Sequence, residues 1–545
     1  MPSVENLKVA QASGTGIIGD PFAWWGARSA ARSIIARVAK RLDGIQKMSV
    51  HFAFEAHRLL LVNELDLNRS FRLHMPTNCM PATGGSCMPH DPRLVKDEDK
   101  IEQLRSTIPD WIKQLVRPKT PCVTPAFGPL EGIRAVGTGQ LIAQPYIGTK
   151  LAEFGAEVIH VEKPGGDVFR FTAPQLVRGP RPHGGDEAEV TKNKLSMGLD
   201  FKKTRGIELL MALWKISDVW MESSAPGTCE RNSITNELAL AVNPSLVIVR
   251  VSTYGQYGKQ EYLGRPGYDA IAQAYGGMMN LTGDPAGPPQ RAKSYTGDYV
   301  TALTGWAATM MALWEVKKTG RGQVIDLAQF EAVAQTNGNT LPIFTGEGAV
   351  SGHTGNRPPG FQPYDTFKCS DGWVFIGALG GAIYDRVPRF LGLDPVEYCY
   401  NECSKDAAAV NSEKGRELDR CLRDYCAAHT AVEVETALNA AQIGCARVFN
   451  VRDQYNDEHY AARDMTVPVL DRQSGVPIRV FGVVPKMSLT PGRIWRGAPS
   501  IGDDTTDILS TMLGLSAAEI EGFYKEGIVH RTEPFVAPQV AAANP

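Results

Sequence analysis

The feature of this 545-residue chain that most restricts its fold is an alternation of strand-length and helix-length apolar patterns that begins at Gly132. The run Gly132–Val136 leads into a glycine turn, a helical period opened by Pro145 at its first position, and a second apolar run, Val158–Glu162. Proline is at home in the first helical turn, and two strands joined through a helix lie parallel, so this stretch predicts a β-α-β unit. The pattern continues with strand Leu195–Leu199, helix Thr204–Lys215, strand Asp218–Glu222, helix Asn236–Val242 and strand Ser245–Val251. A long helix over Tyr299–Lys318, stopped by Thr319-Gly320-Arg321-Gly322, precedes strand Val324–Leu327. Right-handed crossovers make this a doubly wound parallel sheet.

Residues 1–126 read differently. No acid occurs from Phe22 to Leu42, where Trp24, Ala27, Ala31, Ile34, Ile35, Val38 and Leu42 recur at helical spacing opposite Arg28, Arg32, Arg37, Lys40 and Arg41. This is an amphipathic basic helix, read as one packed on its own domain with a solvated face; a targeting segment is the alternative. Prolines and glycines mark a loop at 75–93, and Pro118, Pro121, Pro125 and Pro129 a stiff linker, so a boundary is expected near Phe127. The expected organisation is an extension at 1–126, a large domain at 127–340, a smaller α+β domain at 341–485 and a returning C-terminal segment at 486–545.

Composition narrows the function classes. Lys plus Arg number 57 against 59 acids, a balance that carries no nucleic-acid footprint. No apolar run approaches the roughly 18 residues of a membrane span, and Glu5 and Asp20 interrupt any signal-peptide core. The ten cysteines, from Cys79 to Cys445, form no CxxC pair, so reduced thiols in a reducing, cytoplasmic setting are expected, with an organelle as the alternative that the basic helix raises. Cys399/Cys403 and His51/Glu55 stand four apart without a partner pair, and no metal site is expected. The turn Gly137-Thr138-Gly139-Gln140-Leu141-Ile142, with Glu162 25 residues after Gly137, is two thirds of a dinucleotide fingerprint. A nucleotide site and a plain βα turn both remain open. No phosphate loop of the Gly-x-x-x-x-Gly-Lys-Ser/Thr kind occurs, which argues against ATP-driven activation.

The stretch Arg265-Pro266-Gly267-Tyr268-Asp269-Ala270-Ile271-Ala272-Gln273-Ala274-Tyr275-Gly276-Gly277 and the step Thr296-Gly297-Asp298 carry more information. Together with Gly128-Pro129-Leu130-Glu131-Gly132, Leu151-Ala152-Glu153-Phe154-Gly155-Ala156-Glu157-Val158-Ile159 and Lys317-Lys318-Thr319-Gly320-Arg321-Gly322-Gln323, they resemble the class III CoA-transferases, the CaiB/BaiF family. The resemblance runs from about Phe127 to Val529. Val242-Asn243-Pro244-Ser245-Leu246-Val247-Ile248, Tyr254-Gly255-Gln256-Tyr257-Gly258 and Ile494-Trp495-Arg496-Gly497-Ala498-Pro499 look most like the carnitine and bile-acid branch. It implies a Rossmann-like large domain, an interlocked homodimer, and CoA transfer from an acyl-CoA to a small carboxylic acid, with CoA entering as substrate and no other cofactor. Asp298 matches the family nucleophile. At a helix N-cap it would accept backbone N–H bonds and stay ionised at neutral pH. Leu141, Ile142, Ala143, Lys163, Asn193, Lys194 and Arg231 fall where the family meets CoA, and Gly355 and Gly360 lie in the region of its glycine loop. Ser223-Ser224-Ala225 and Pro266 depart from the family pattern.

Three other readings compete. Racemases of the same fold use a histidine where Tyr268 stands, and a phenol with pKa near 10 is a poor proton shuttle near neutrality. An NAD-dependent oxidoreductase rests on the partial fingerprint alone, and a non-catalytic CoA-binding protein would not need Asp298.

Overall fold

The computed structural model describes residues 91, 93–117, 123–179 and 183–532. The expected basic helix at 22–42 and nearly all of the loop at 75–93 lie outside the described residues. Fourteen strands run in chain order: β1 (Arg134–Gly137), β2 (Glu157–Glu162), β3 (Gln175–Leu176), β4 (His183–Gly184), β5 (Leu195–Leu199), β6 (Val219–Glu222), β7 (Val247–Ser252), β8 (Val324–Ala328), β9 (Tyr364–Lys368), β10 (Trp373–Gly377), β11 (Gly444–Arg447), β12 (Thr466–Leu470), β13 (Pro477–Phe481) and β14 (Val529–His530), among the described residues. Helices α1 (Glu98–Thr107), α2 (Ala143–Glu153), α3 (Thr204–Lys215), α4 (Asn236–Val242), α5 (Asp269–Tyr275), α6 (Thr296–Thr319) and α7 (Gln329–Ala334) belong to the same body.

Seven strands form one mixed sheet in the order β14-β5-β2-β1-β6-β7-β8, parallel except for the edge strand β14, which runs antiparallel to β5. Strands β1, β2, β5, β6 and β7 are buried along their whole length, as a sheet covered on both faces requires. Their side chains alternate between two cores. Val136, Ile159, Trp220 and Ile248 point into one, with Leu213 and Trp214 of α3 and Leu240 of α4. Ala135, Val158, Val219 and Val247 point into the other, with Ile147 and Leu151 of α2 and Ala302 of α6. Numbered along the chain, the six parallel strands stand in the order 3-2-1-4-5-6, that of doubly wound nucleotide-binding sheets. The expected α/β architecture is observed, with α3 and α4 at their expected bounds. Gly320 (φ +70) closes α6 at the expected stop, donating its N–H to the Val316 carbonyl. Pro145 falls at the third residue of α2 rather than the first.

Residues before 127 are not all outside this body. Val95, Ile108 and Ile112 are buried in the first core, with Ile101 and Leu104 of α1 packed against it. Arg117 pairs with Asp218 (2.5 Å) and donates to the Gly132 carbonyl, tying this segment to the first and fourth parallel strands. The described residues on either side of 118–122 therefore share one core, and the boundary expected near Phe127 is not one between independently packed bodies.

A third, smaller core belongs to the segment that follows. An antiparallel sheet, β11-β10-β9, packs Phe367, Val374 and Ile376 against Leu418, Leu422 and Cys426, which share one face of helix α8 (Glu413–Ala428) at i, i+4 spacing. After the β12-β13 hairpin the chain returns to the large sheet. Arg170, fully buried, pairs with Glu162 (2.7 Å) and donates to the Pro499 carbonyl of the returning chain (3.1 Å). His183 bridges Glu187 (3.0 Å) and Asp471 (2.8 Å), and the two carboxylates raise its pKa to about 9 against the effect of burial. The last described element is β14, which is two residues long and gives no readable sequence pattern.

Candidate active site

A cleft of about 760 Å³ opens at the carboxyl ends of the parallel strands. It is lined by Thr138–Ala143 after β1, Ser223–Pro226 after β6, Val251–Gly255 at the end of β7, Leu263–Ala270 leading into α5, and by Asp298 and Gln329. Strand order reverses between β1 and β6, and the crevice at such a switch point is where open α/β sheets bind ligands.

Asp298 is the third residue of α6, not its N-cap; that position is held by Tyr295, in left-handed conformation (φ +56), which makes no side-chain cap bond. Its side chain is 8% exposed and faces the cleft. Three neighbours define its surroundings. The Gln329 side-chain amide donates to Asp298 Oδ1, and Thr253 Oγ1 donates to Gln329 Oε1 at 3.0 Å. Asp269, buried at the start of α5, accepts the Asp298 backbone N–H at 3.2 Å and is itself held by Gln273 Nε2 at 2.8 Å. Two glycines keep these groups close, Gly267 by necessity and Gly297 by a tight fit. A Cβ on Gly297 would stand 3.0 Å from Asp269 Oδ1, and one on Gly267 would stand 2.3 Å from Thr253 Oγ1. Burial, and then the Asp269 charge, push the Asp298 carboxyl up to about 7, while the Gln329 bond works the other way. The expectation of a carboxylate held fully ionised by a cap is thus corrected: desolvation outweighs the helix terminus.

Of the other expected site residues, Leu141, Ile142, Ala143 and Tyr268 line the cleft; Leu141 is left-handed (φ +67) with its N–H held by the buried Asp167 (2.9 Å). Lys163 is exposed beside the same β1 turn, bonded to Gln140 (3.2 Å), and Arg231 is exposed on the short helix that follows the Ser223–Pro226 turn. Gly355 and Gly360 lie away from the cleft lining; the Gly355 N–H bonds to the Gly283 carbonyl (2.9 Å). Asn193 and Lys194 are buried and not at the cleft. Asn193 clamps the returning chain instead, donating to the Arg493 carbonyl (2.6 Å) and accepting from Trp495 N (2.8 Å). Lys194 donates to the Pro145 carbonyl (2.5 Å), and burial lowers its pKa to about 7. Asn193→Ala should therefore lower unfolding free energy by about 2–4 kcal/mol through two to three lost buried bonds, with the KM for acyl-CoA unchanged. Urea denaturation beside steady-state kinetics checks both halves.

Glu162, the acid a nicotinamide ribose would need, is 2% exposed, with both carboxylate oxygens on Arg170. The fingerprint turn is a βα turn at a cleft without that ribose acceptor. Sequence reasoning missed the groups that surround Asp298. Asp269 directly follows Tyr268 within the most informative motif, but Gln329 and Thr253 lie 31 and 45 residues from Asp298 and carried no local signal.

A doubly wound enzyme with a buried carboxylate at its switch-point cleft and an interdomain return is the class these observations define. The model of CoA-transferase family III matches residues 130–505, and the chain belongs to that family. It is 35% identical over 409 residues to the bile acid CoA-transferase BaiK of Clostridium scindens, covering 74% of this chain and 90% of that relative. Its fold is similar to a CaiB/BaiF family protein from Brucella suis, at 25% identity and TM-score 0.64 over 71% of this chain and all of that one. It is also similar to Rv3272 from Mycobacterium tuberculosis, at 24% identity and TM-score 0.59 over 70% of this chain and 99% of that one. The protein is a CoA-transferase, and its substrates are acyl-CoA and acids. Among the described residues no helix is long and apolar enough to cross a membrane.

Proposed function

We propose that the protein moves CoA from an acyl-CoA donor to a carboxylic acid through covalent intermediates on Asp298, working as a homodimer. The observation that carries this reading is the Asp298 carboxyl facing the switch-point cleft with Oδ1 bonded and Oδ2 without a hydrogen bond among the described residues. A carboxylate in that setting is a nucleophile, its remaining neighbours fixing its orientation. Attack on the thioester gives a mixed anhydride, and returning CoA thiolate gives an aspartyl-CoA thioester while the donor acid leaves. The acceptor acid then runs the sequence in reverse. One thioester is exchanged for another, so no nucleotide hydrolysis is needed. The BaiK relative makes cholyl-CoA a first donor to try. Mass spectrometry after incubation with acyl-CoA should find CoA mass on the peptide carrying Asp298; transfer without that adduct in a quenched steady state overturns the reading.

Lys163 and Arg231 flank the cleft as exposed cations and are proposed to meet the CoA nucleotide rather than the acyl end. Alanine at either should raise the KM for acyl-CoA severalfold at low salt, leave kcat nearly unchanged, and matter less with a pantetheine thioester that lacks the nucleotide. Equal impairment with the truncated thioester contradicts the placement.

A further inference from the structure

The two oxygens of Asp298 have different surroundings. Oδ1 receives the Gln329 amide; Oδ2 has no hydrogen-bond partner among the described residues. The Gln329 amide is itself oriented, because Thr253 Oγ1 donates to its Oε1 (3.0 Å) and so leaves the NH2 group toward Asp298. Gln329 is 6% exposed at the first position of α7, and Asp269 anchors the Asp298 backbone through its N–H. Rotation of the carboxylate about its Cβ–Cγ bond would exchange a bonded for an unbonded oxygen against this fixed amide.

We propose that Gln329 keeps the oxygens of Asp298 distinct through the whole cycle: it holds Oδ1 as the permanent carbonyl oxygen and acts as its oxyanion donor, while Oδ2 is the oxygen that attacks and is replaced. The inference rests on the aspartyl-anhydride reading above. A lone pair of Oδ2 adds to the thioester carbonyl carbon, and the C–S pair leaves with sulfur as CoA thiolate. The thiolate adds to Asp298 Cγ, and the carbonyl π pair moves onto Oδ1, where the Gln329 N–H meets the charge. Collapse restores the Cγ–Oδ1 double bond and breaks Cγ–Oδ2, so the donor acid departs carrying Oδ2. An oxygen of the acceptor carboxylate adds to Cγ, charging Oδ1 a second time, and thiolate leaves. Thiolate then adds to the acceptor acyl carbon and expels Asp298, which keeps Oδ1 and one oxygen from the acceptor. Both tetrahedral species at Cγ place charge on the one atom that Gln329 already contacts, which is the condition for preorganised stabilisation.

The test is isotopic. Acetyl-CoA, butanoyl-CoA and cholyl-CoA are each incubated with their own acid, the pair that exchanges fastest is chosen by entry of 14C-labelled acid into acyl-CoA, and that acid is then supplied in excess with both carboxylate oxygens as 18O. After many turnovers wild-type Asp298 should hold one 18O and no more, read by mass spectrometry of its peptide. Gln329→Leu should lower kcat about a hundred- to a thousandfold with a much smaller change in KM, and its Asp298 should proceed to two 18O atoms. Thr253→Val, which frees the amide, should show partial entry of the second label. A wild-type enzyme that reaches two labels overturns the proposal without any variant, as does a Gln329→Leu enzyme that turns over and stops at one. An enzyme that turns over with no label in Asp298 instead refutes the covalent reading beneath it.

Discussion

Asp298→Asn should abolish transfer, by at least about a thousandfold, and at the same time make the protein more stable above neutral pH. The first effect follows from loss of a nucleophile whose role no neighbour can assume. The second follows from the direction in which the site shifts its carboxyl. Burial and Asp269 raise it from 3.8 to about 7 in the folded protein, so the protonated form is favoured by folding. That contribution is fully present below about pH 4 and is lost as pH rises through 7. At pH 8 the ionised Asp298 therefore destabilises the fold by about 2–4 kcal/mol, and asparagine, uncharged and still able to accept from Gln329, removes the penalty. The gap in Tm between variant and wild type should widen from pH 5 to pH 8; a constant gap contradicts the assigned environment. In the wild-type enzyme, kcat/KM should rise with pH to a plateau above about 7, since the ionised carboxylate is the reactive form. Transfer surviving in Asp298→Asn within a factor of about ten would remove Asp298 from the chemistry.

A chain beginning at residue 121 should not fold to a stable body. It lacks Val95, Ile108 and Ile112, all buried in the first core, and the Arg117 side chain that pairs with Asp218. Each lost aliphatic side chain of this kind costs about 2–5 kcal/mol, and the loss of three approaches the whole stability of an ordinary domain. Burial already raises the Asp218 carboxyl, so removing its cation leaves a poorly compensated acid at the sheet. Ile112→Ala in the full chain isolates one part of this effect, with an expected loss of about 2–5 kcal/mol in denaturant unfolding. A truncated protein that stays soluble and melts cooperatively within a few degrees of the full chain would show the segment to be dispensable.

These cases show what could and could not be seen in the chain. Strands β5, β6 and β7 were legible because a parallel sheet covered on both faces demands continuous apolar runs between helical periods, and such runs are local. The prolines near residue 120 report stiffness in the sequence and say nothing of what lies on either side, where Val95, Ile108 and Ile112 join the first core. Asn193 and Lys194 were expected at CoA only because they fall where the resembled family meets it; burial makes both clamps on backbone carbonyls. Asp298 was found through its motif, but its electrostatics were misread. The carboxylate of Asp269 and the amide of Gln329 reach it only through tertiary packing, across 29 and 31 residues of chain.

Strand β14 has a consequence for how the protein is made. Residues Val529 and His530 pair with Leu199 and Gly198 and thereby close one end of the large sheet. On a ribosome, β5 emerges about 330 residues earlier, so at roughly 5–20 residues per second its outer edge waits some 15–65 seconds for its partner. Throughout that interval Leu195, Met197 and Leu199 flank a row of open backbone donors and acceptors, the kind of surface on which nascent chains pair with each other. The last short strand is thus a timing element as much as a structural one. Yield of native protein should depend on translation speed and on chaperones that shield a strand edge late in synthesis, more than the stability of the finished molecule would suggest.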